Sequence, residues 1–142
     1  MKPRAFLLVV IGISAITLLT VCAPDETSEI WTQKGIMNTN LGKFETAVND
    51  FNRALDMDPE YILAYNGRGM AYLEMELYDE AVSDFETVIS LDPGFSLAYF
   101  NRGVALYRSG DLNAALTDFE KSCELGYIEG CVRADEINET RK

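Results

Sequence analysis

The sequence predicts an all-α chain made of three successive two-helix hairpins closed by a capping helix. Three observations carry that expectation. Shifting the 142-residue chain by 34 positions superimposes Trp31 on Tyr65 and Tyr99, Gly35 on Gly69 and Gly103, Ala47 on Ala81 and Ala115, Phe51 on Phe85 and Phe119, and Pro59 on Pro93. Within one period, Tyr65, Gly69 and Tyr72 fall at helical spacing, as do Ala81, Phe85, Val88 and Ile89 half a period later, so each repeat holds two amphipathic helices. Asp58-Pro59 and Asp92-Pro93 end the second helix, because proline lacks a backbone donor and disfavours helix in the residue before it.

The chain ahead of the first repeat is of another kind. Met1-Lys2-Pro3-Arg4 makes a basic start, and Ala5 to Val21 carries no charge. Residues 1–23 are therefore expected to be a signal or anchor segment, with 24–27 a short linker. The apolar run is longer than the roughly 7 to 15 residues usual for a cleaved signal, yet it only reaches the lower bound, roughly 17, for a membrane span. Lys2 and Arg4 before it, with Asp25, Glu26 and Glu29 after it, orient the body to the extracytoplasmic side of the cell envelope by the positive-inside bias. The ending Leu19-Thr20-Val21-Cys22 resembles a bacterial lipoprotein signal, which implies lipidation at Cys22. Val21 departs from the small residue which that family places before its cysteine. An uncleaved helical anchor, with Cys22 a buried thiol, and a soluble secreted form are the alternatives.

Beyond that segment the composition is globular, 48% apolar and 25% charged over the whole chain, enough for one domain with its own core. Of the 12 lysines and arginines, Lys2 and Arg4 belong to the first segment, and the others face 23 acids. So acidic a body makes nucleic acid a poor partner.

The recurring aromatic, Gly, Tyr, Ala, Phe, Ala and Pro positions over residues 28–127 resemble the pattern of the tetratricopeptide repeat family. The resemblance implies a right-handed α-α superhelix, with repeats at about 28–61, 62–95 and 96–127 and residues 128–142 as capping helix and tail. A single hairpin cannot bury its apolar face, so three stacked hairpins and a cap are about the minimum for a solenoid. Asn38 and Leu106 depart from the pattern at the second aromatic, and Tyr127 at the final proline. Gly69 and Ala81 let paired helices approach, while Tyr65 and Phe85 fill the space beside them. Lys34, Arg68 and Arg102 share one register, and Asp50, Asp84 and Asp118 another. Either they pair between the helices of each hairpin or they are solvated faces.

Cys123 stands in the register of Leu55 and Ile89, a core position near a helix end. The segment from Lys121 to Cys131 resembles the cysteine-rich SEL-like helical repeats of secreted bacterial proteins. That resemblance implies a Cys123–Cys131 disulfide tying the cap to the last repeat, for stability rather than redox catalysis, since there is no Cys-x-x-Cys spacing.

In the tetratricopeptide family, the first helices of successive repeats line a concave groove. Carried onto this chain, the resemblance implies a largely apolar groove of Ile36, Leu63, Asn66, Met70, Leu73, Leu97, Phe100, Asn101, Val104 and Tyr107. Phe100 and Tyr107 would be rigid anchors, Met70 an adaptable contact, and Asn66 and Asn101 partners for a peptide backbone. Any one of them could instead pack against a neighbouring repeat. Relatives that grip the C-terminal carboxylate of a chaperone use a clamp of lysines, arginines and asparagines, but Ile36, Gly67 and Leu97 occupy clamp positions here. The expected partner is a neutral, basic or apolar polypeptide.

Catalysis is not expected. The chain has no histidine, the commonest general base and metal ligand. Asp56, Asp58 and Glu60 lack the glycine and spaced glutamate of a calcium loop. No cofactor or metal is anticipated. The function expected is a membrane-tethered adaptor that binds another protein. The alternatives are a cell-wall-related enzyme or accessory factor, implied by the cysteine-rich resemblance, and a structural module that self-associates as a homodimer.

Overall fold

The computed structural model describes residues 26–140, so the N-terminal segment with Cys22 lies outside the described residues. Seven helices follow one another: α1 (Ser28–Asn40), α2 (Phe44–Met57), α3 (Ile62–Glu74), α4 (Tyr78–Leu91), α5 (Ser96–Ser109), α6 (Leu112–Glu124) and α7 (Ile128–Thr140). There is no strand among the described residues, and no helix among them is long and apolar enough to cross a membrane.

Local chemistry sets the boundaries. The Thr27 hydroxyl accepts from the Ile30 amide at the start of α1, and Asp111 accepts from Ala114 at the start of α6, satisfying amides that a helix N-terminus leaves free. After α2 and α4, Asp58 and Asp92 each turn a carboxylate oxygen back onto the amide two residues on, Glu60 and Gly94. The Asp-Pro pair thus makes the turn as well as stopping the helix. The third repeat turns differently. Gly126 has φ +92°, and Tyr127, where the other repeats have proline, packs its ring edge-on against Phe100 at 5.0 Å.

Hairpins are held by an aromatic ring lying on a glycine. Phe51, Phe85 and Phe119 are almost wholly buried. A Cβ built on Gly35, Gly69 or Gly103 would lie 2.7, 2.7 or 2.9 Å from the respective ring, so no larger residue fits there without moving the helices. A Cβ built on Gly67 would lie 2.5 Å from the same Phe51 ring, so its absence lets α3 close on the first hairpin. Three core clusters result, centred on these phenylalanines.

The expected ion pairs form in the second and third hairpins and not in the first. Arg68 donates through Nε and Nη2 to both oxygens of Asp84, at 2.8 and 2.7 Å, and Arg102 grips Asp118 in the same way at 2.7 and 2.8 Å. Burial pushes the Asp84 carboxyl up, Arg68 opposing it, while the hydrogen bond to Asp84 raises the Arg68 guanidinium. The Lys34–Asp50 pair is absent. Asp50 accepts instead from the Asn38 amide at 2.7 Å, and Lys34 reaches Glu26 at 3.6 Å and lies 3.7 Å over the Trp31 ring. Asn38 stands where the next repeat has Tyr72. Its short amide reaches the carboxylate directly, and the lysine, having no planar fork, is free to stack on the indole.

The cap is α7. Gly130 brings its backbone against α6, where a Cβ would sit 2.7 Å from the Phe119 carbonyl oxygen and 2.9 Å from the Cys123 nitrogen. Cys123 and Cys131 are joined in a disulfide with Cα atoms 4.8 Å apart. Ala134 and Ile137 complete the buried face of α7 against the Phe119 cluster.

Candidate functional site: a groove on the inner helices

The first helices of the hairpins pack on one another. Contact between α1 and α3 is modest and between α3 and α5 slight, whereas the second helices pack at most marginally among themselves. The first helices therefore take the inner curve of the superhelix, and their exposed side chains form its inner wall.

Along that wall, Ile36, Leu63 and Met70 are 43–49% exposed and Tyr107 is 52% exposed. Leu97 and Val104 are half-buried. Three residues expected in the groove are inside the protein instead. Leu73 belongs to the second core cluster. Asn66 and Asn101 are buried together, the Asn101 amide donating to the Asn66 oxygen at 3.0 Å. The pair sits between α3 and α5, so the Asn66 oxygen is taken by the Asn101 amide rather than by a peptide. Phe100 is half-buried, its ring 5.5 Å from that of Phe119 and 5.0 Å from that of Tyr127. It is a strut of the last hairpin and not a free anchor.

A cavity of about 410 Å³ opens where the inner wall meets the cap. Val104, Tyr107 and Arg108 from α5, Leu112 and Phe119 from α6, and Arg133, Glu136, Ile137 and Thr140 from α7 line it. Contact between α5 and α7 is no more than marginal, and the space lies between them over α6. Sequence reasoning missed Arg108, Leu112 and the whole α7 wall, because it drew the groove from three first helices only. α7 stands where a fourth first helix would follow, but Arg133 and Ile137 occupy the register positions of the aromatic and glycine that mark the other first helices. Among the described residues no group of three His, Cys, Asp or Glu side chains gathers as metal ligands.

An inner wall of helices presenting exposed apolar side chains around a cavity defines a helical-repeat recognition scaffold. Two family models match the chain, one described as tetratricopeptide repeat over residues 66–126 and one as TPR repeat over residues 38–76. Among solved structures, it is 32% identical to the second TPR domain of human RPAP3 in complex with the HSP70 peptide SGPTIEEVD, covering 76% of this chain and 92% of that one at a TM-score of 0.71. The chain belongs to the tetratricopeptide repeat family. Two further domains show the same fold. The first TPR of Spaghetti (RPAP3) bound to the HSP90 peptide SRMEEVD is 24% identical, covering 80% of this chain and 92% of that one, with a TM-score of 0.76. The Arabidopsis OM64 TPR domain is 22% identical, covering 80% and 96%, also with a TM-score of 0.76. No curated protein matches the chain.

Proposed function

We propose that this chain is a protein-interaction adaptor that binds a largely apolar polypeptide segment in its inner groove and is tethered at its N-terminal end on the extracytoplasmic side of a membrane. The observation that carries the reading is the exposed apolar strip of Ile36, Leu63, Met70 and Tyr107 along the first helices. The RPAP3 domain, 32% identical, in complex with an HSP70 peptide, supports a polypeptide as the ligand. Acidic chaperone tails are not the ligand proposed. Ile36, Gly67 and Leu97 stand where clamp residues are expected, and an acidic body disfavours an acidic run. The basic start, the uncharged run and the acids after it support the tether and its orientation. Lipidation at Cys22 is its proposed form.

Capture of partners from membranes with the full chain tests the groove. Met70→Glu and Tyr107→Glu, both at exposed positions, should deplete the partners held by the wild type; an unchanged partner set would overturn the reading. Fatty-acid analogue labelling that disappears in Cys22→Ser tests the tether, and equal labelling of both forms would overturn lipidation at that residue.

A second reading, homodimerisation through the cap, draws on Ile128 and Val132, which are 73% and 51% exposed one turn apart on α7. Light scattering should then give twice the monomer mass, falling to the monomer in Val132→Glu. A monomeric wild type would remove this reading.

A further inference from the structure

The cavity between α5, α6 and α7 has a chemistry that the rest of the groove lacks. Its volume of about 410 Å³ lies in the range of ligand sites, roughly 300–1,000 Å³. Val104, Leu112, Phe119 and Ile137 give it an apolar lining, and Arg108 and Arg133 stand in its wall. These two differ from the other described arginines. Arg68 and Arg102 are held in buried bidentate pairs, and Arg53 lies over Trp31. Arg108 and Arg133 have only exposed partners, Glu74 at 3.5 Å and Glu136 at 2.9 Å. Exposed pairs of this kind are weak, about 0–1 kcal/mol in general, so an incoming carboxylate beside a desolvated apolar group can replace them. Elsewhere on the inner wall, Ile36, Leu63 and Met70 carry no charge.

We propose that this cavity seats one large apolar side chain of the partner polypeptide together with a single aspartate or glutamate carboxylate beside it, the carboxylate held by Arg108 and Arg133. The inference rests on reading the groove as a peptide site and adds its local specificity. One carboxylate is taken rather than an acidic run because the surrounding body is strongly acidic. Glu136 on Arg133 and Glu74 on Arg108 are the groups the ligand displaces.

The test uses the isotope-labelled full chain titrated with a peptide acetylated and amidated at its ends, carrying one phenylalanine followed by one glutamate in a Gly-Ser background, up to millimolar concentration. The expected result is movement of the Val104 and Ile137 methyl signals and of the Arg108 and Arg133 guanidinium signals. Replacing the peptide's glutamate by glutamine should weaken binding about tenfold, as should Arg133→Gln, and the two losses should not add. Glu136→Gln should tighten binding. Equal affinity of the glutamate and glutamine peptides would overturn the proposal, as would an absence of shifts at the cavity. A peptide without glutamate that ends in phenylalanine with a free carboxylate, if it binds as well, would assign the site to chain termini and overturn the side-chain source. Shifts confined to Ile36, Leu63 and Met70 would sink the cavity while leaving the groove standing. Partner capture unaffected by the groove substitutions would sink the groove itself.

Discussion

Gly69 and Glu76 show how much of this fold is decided by single positions. Gly69 has no room for a Cβ beside the Phe85 ring, which is fully buried and cannot retreat. Alanine there gains about 0.5–1 kcal/mol of helix propensity but forces an overpacked contact costing about 1–3 kcal/mol. Gly69→Ala should therefore lower stability by about 1–2 kcal/mol, read as a lower urea midpoint at unchanged slope; an unchanged midpoint would contradict the packing account. Glu76 is the opposite case. It lies in the register of Gly42 and Gly110, and it alone among the described non-glycine residues has positive φ, 61°. A left-handed backbone costs an L-residue roughly 1–2 kcal/mol, and glycine returns part of that gain through its freer unfolded chain. Glu76→Gly should raise the melting temperature by a few degrees, a gain of about 0.5–1 kcal/mol. Both positions were readable by counting in steps of 34. The small residue at Gly69 was recognised as such from the sequence, whereas the strain at Glu76 becomes visible only with the dihedral.

At the level of helices and hairpins, the register predicted which side chains face one another but not which partner each would choose. Arg68 and Asp84 pair because a planar guanidinium can bind both carboxylate oxygens from the facing helix. Their side chains are 19% and 7% exposed, so Arg68→Gln and Asp84→Asn should show a coupling of about 1–3 kcal/mol in a double-mutant cycle. Lys34→Gln with Asp50→Asn should be additive, since Asn38 holds Asp50. Strict additivity in the first cycle, or coupling in the second, would contradict these assignments. The exchange was not legible because it depends on Asn38 departing from the aromatic pattern and on Trp31 offering Lys34 a ring. The cap makes a further test. The disulfide closes a sequence separation of 8 residues, for which chain entropy gives about 2–3 kcal/mol. Cys131→Ser should lower stability by up to that amount and raise amide exchange in α7 before the hairpins. Uniform exchange across all seven helices would show that α7 has no separate stability. The pairing of Cys123 with Cys131 was suggested by likeness to known repeats. The physical reason for it, the backbone contact at Gly130 that brings the two helices together, was not.

For the molecule as a whole, the solenoid, its three hairpins and its cap were legible because every repeat restates the same packing solution. The groove was legible only in part. Its inner wall follows from the fold, and Ile36, Leu63, Met70 and Tyr107 are exposed on it. Phe100, Leu73 and the Asn66–Asn101 pair were drawn inward, because apolar and amide side chains on a first helix face either solvent or the next repeat according to a curvature that the sequence does not display. The cavity needs α7, which closes one end of the wall with no more than marginal contact to α5. The central claim is that a partner polypeptide lies along this inner wall. A photo-reactive amino acid placed at Met70, exposed on α3, or at Asn49, exposed on α2 away from the core, tests it in the full chain. The account predicts a cross-linked adduct to a partner from Met70 and none from Asn49. Adducts from Asn49 with none from Met70 would contradict it.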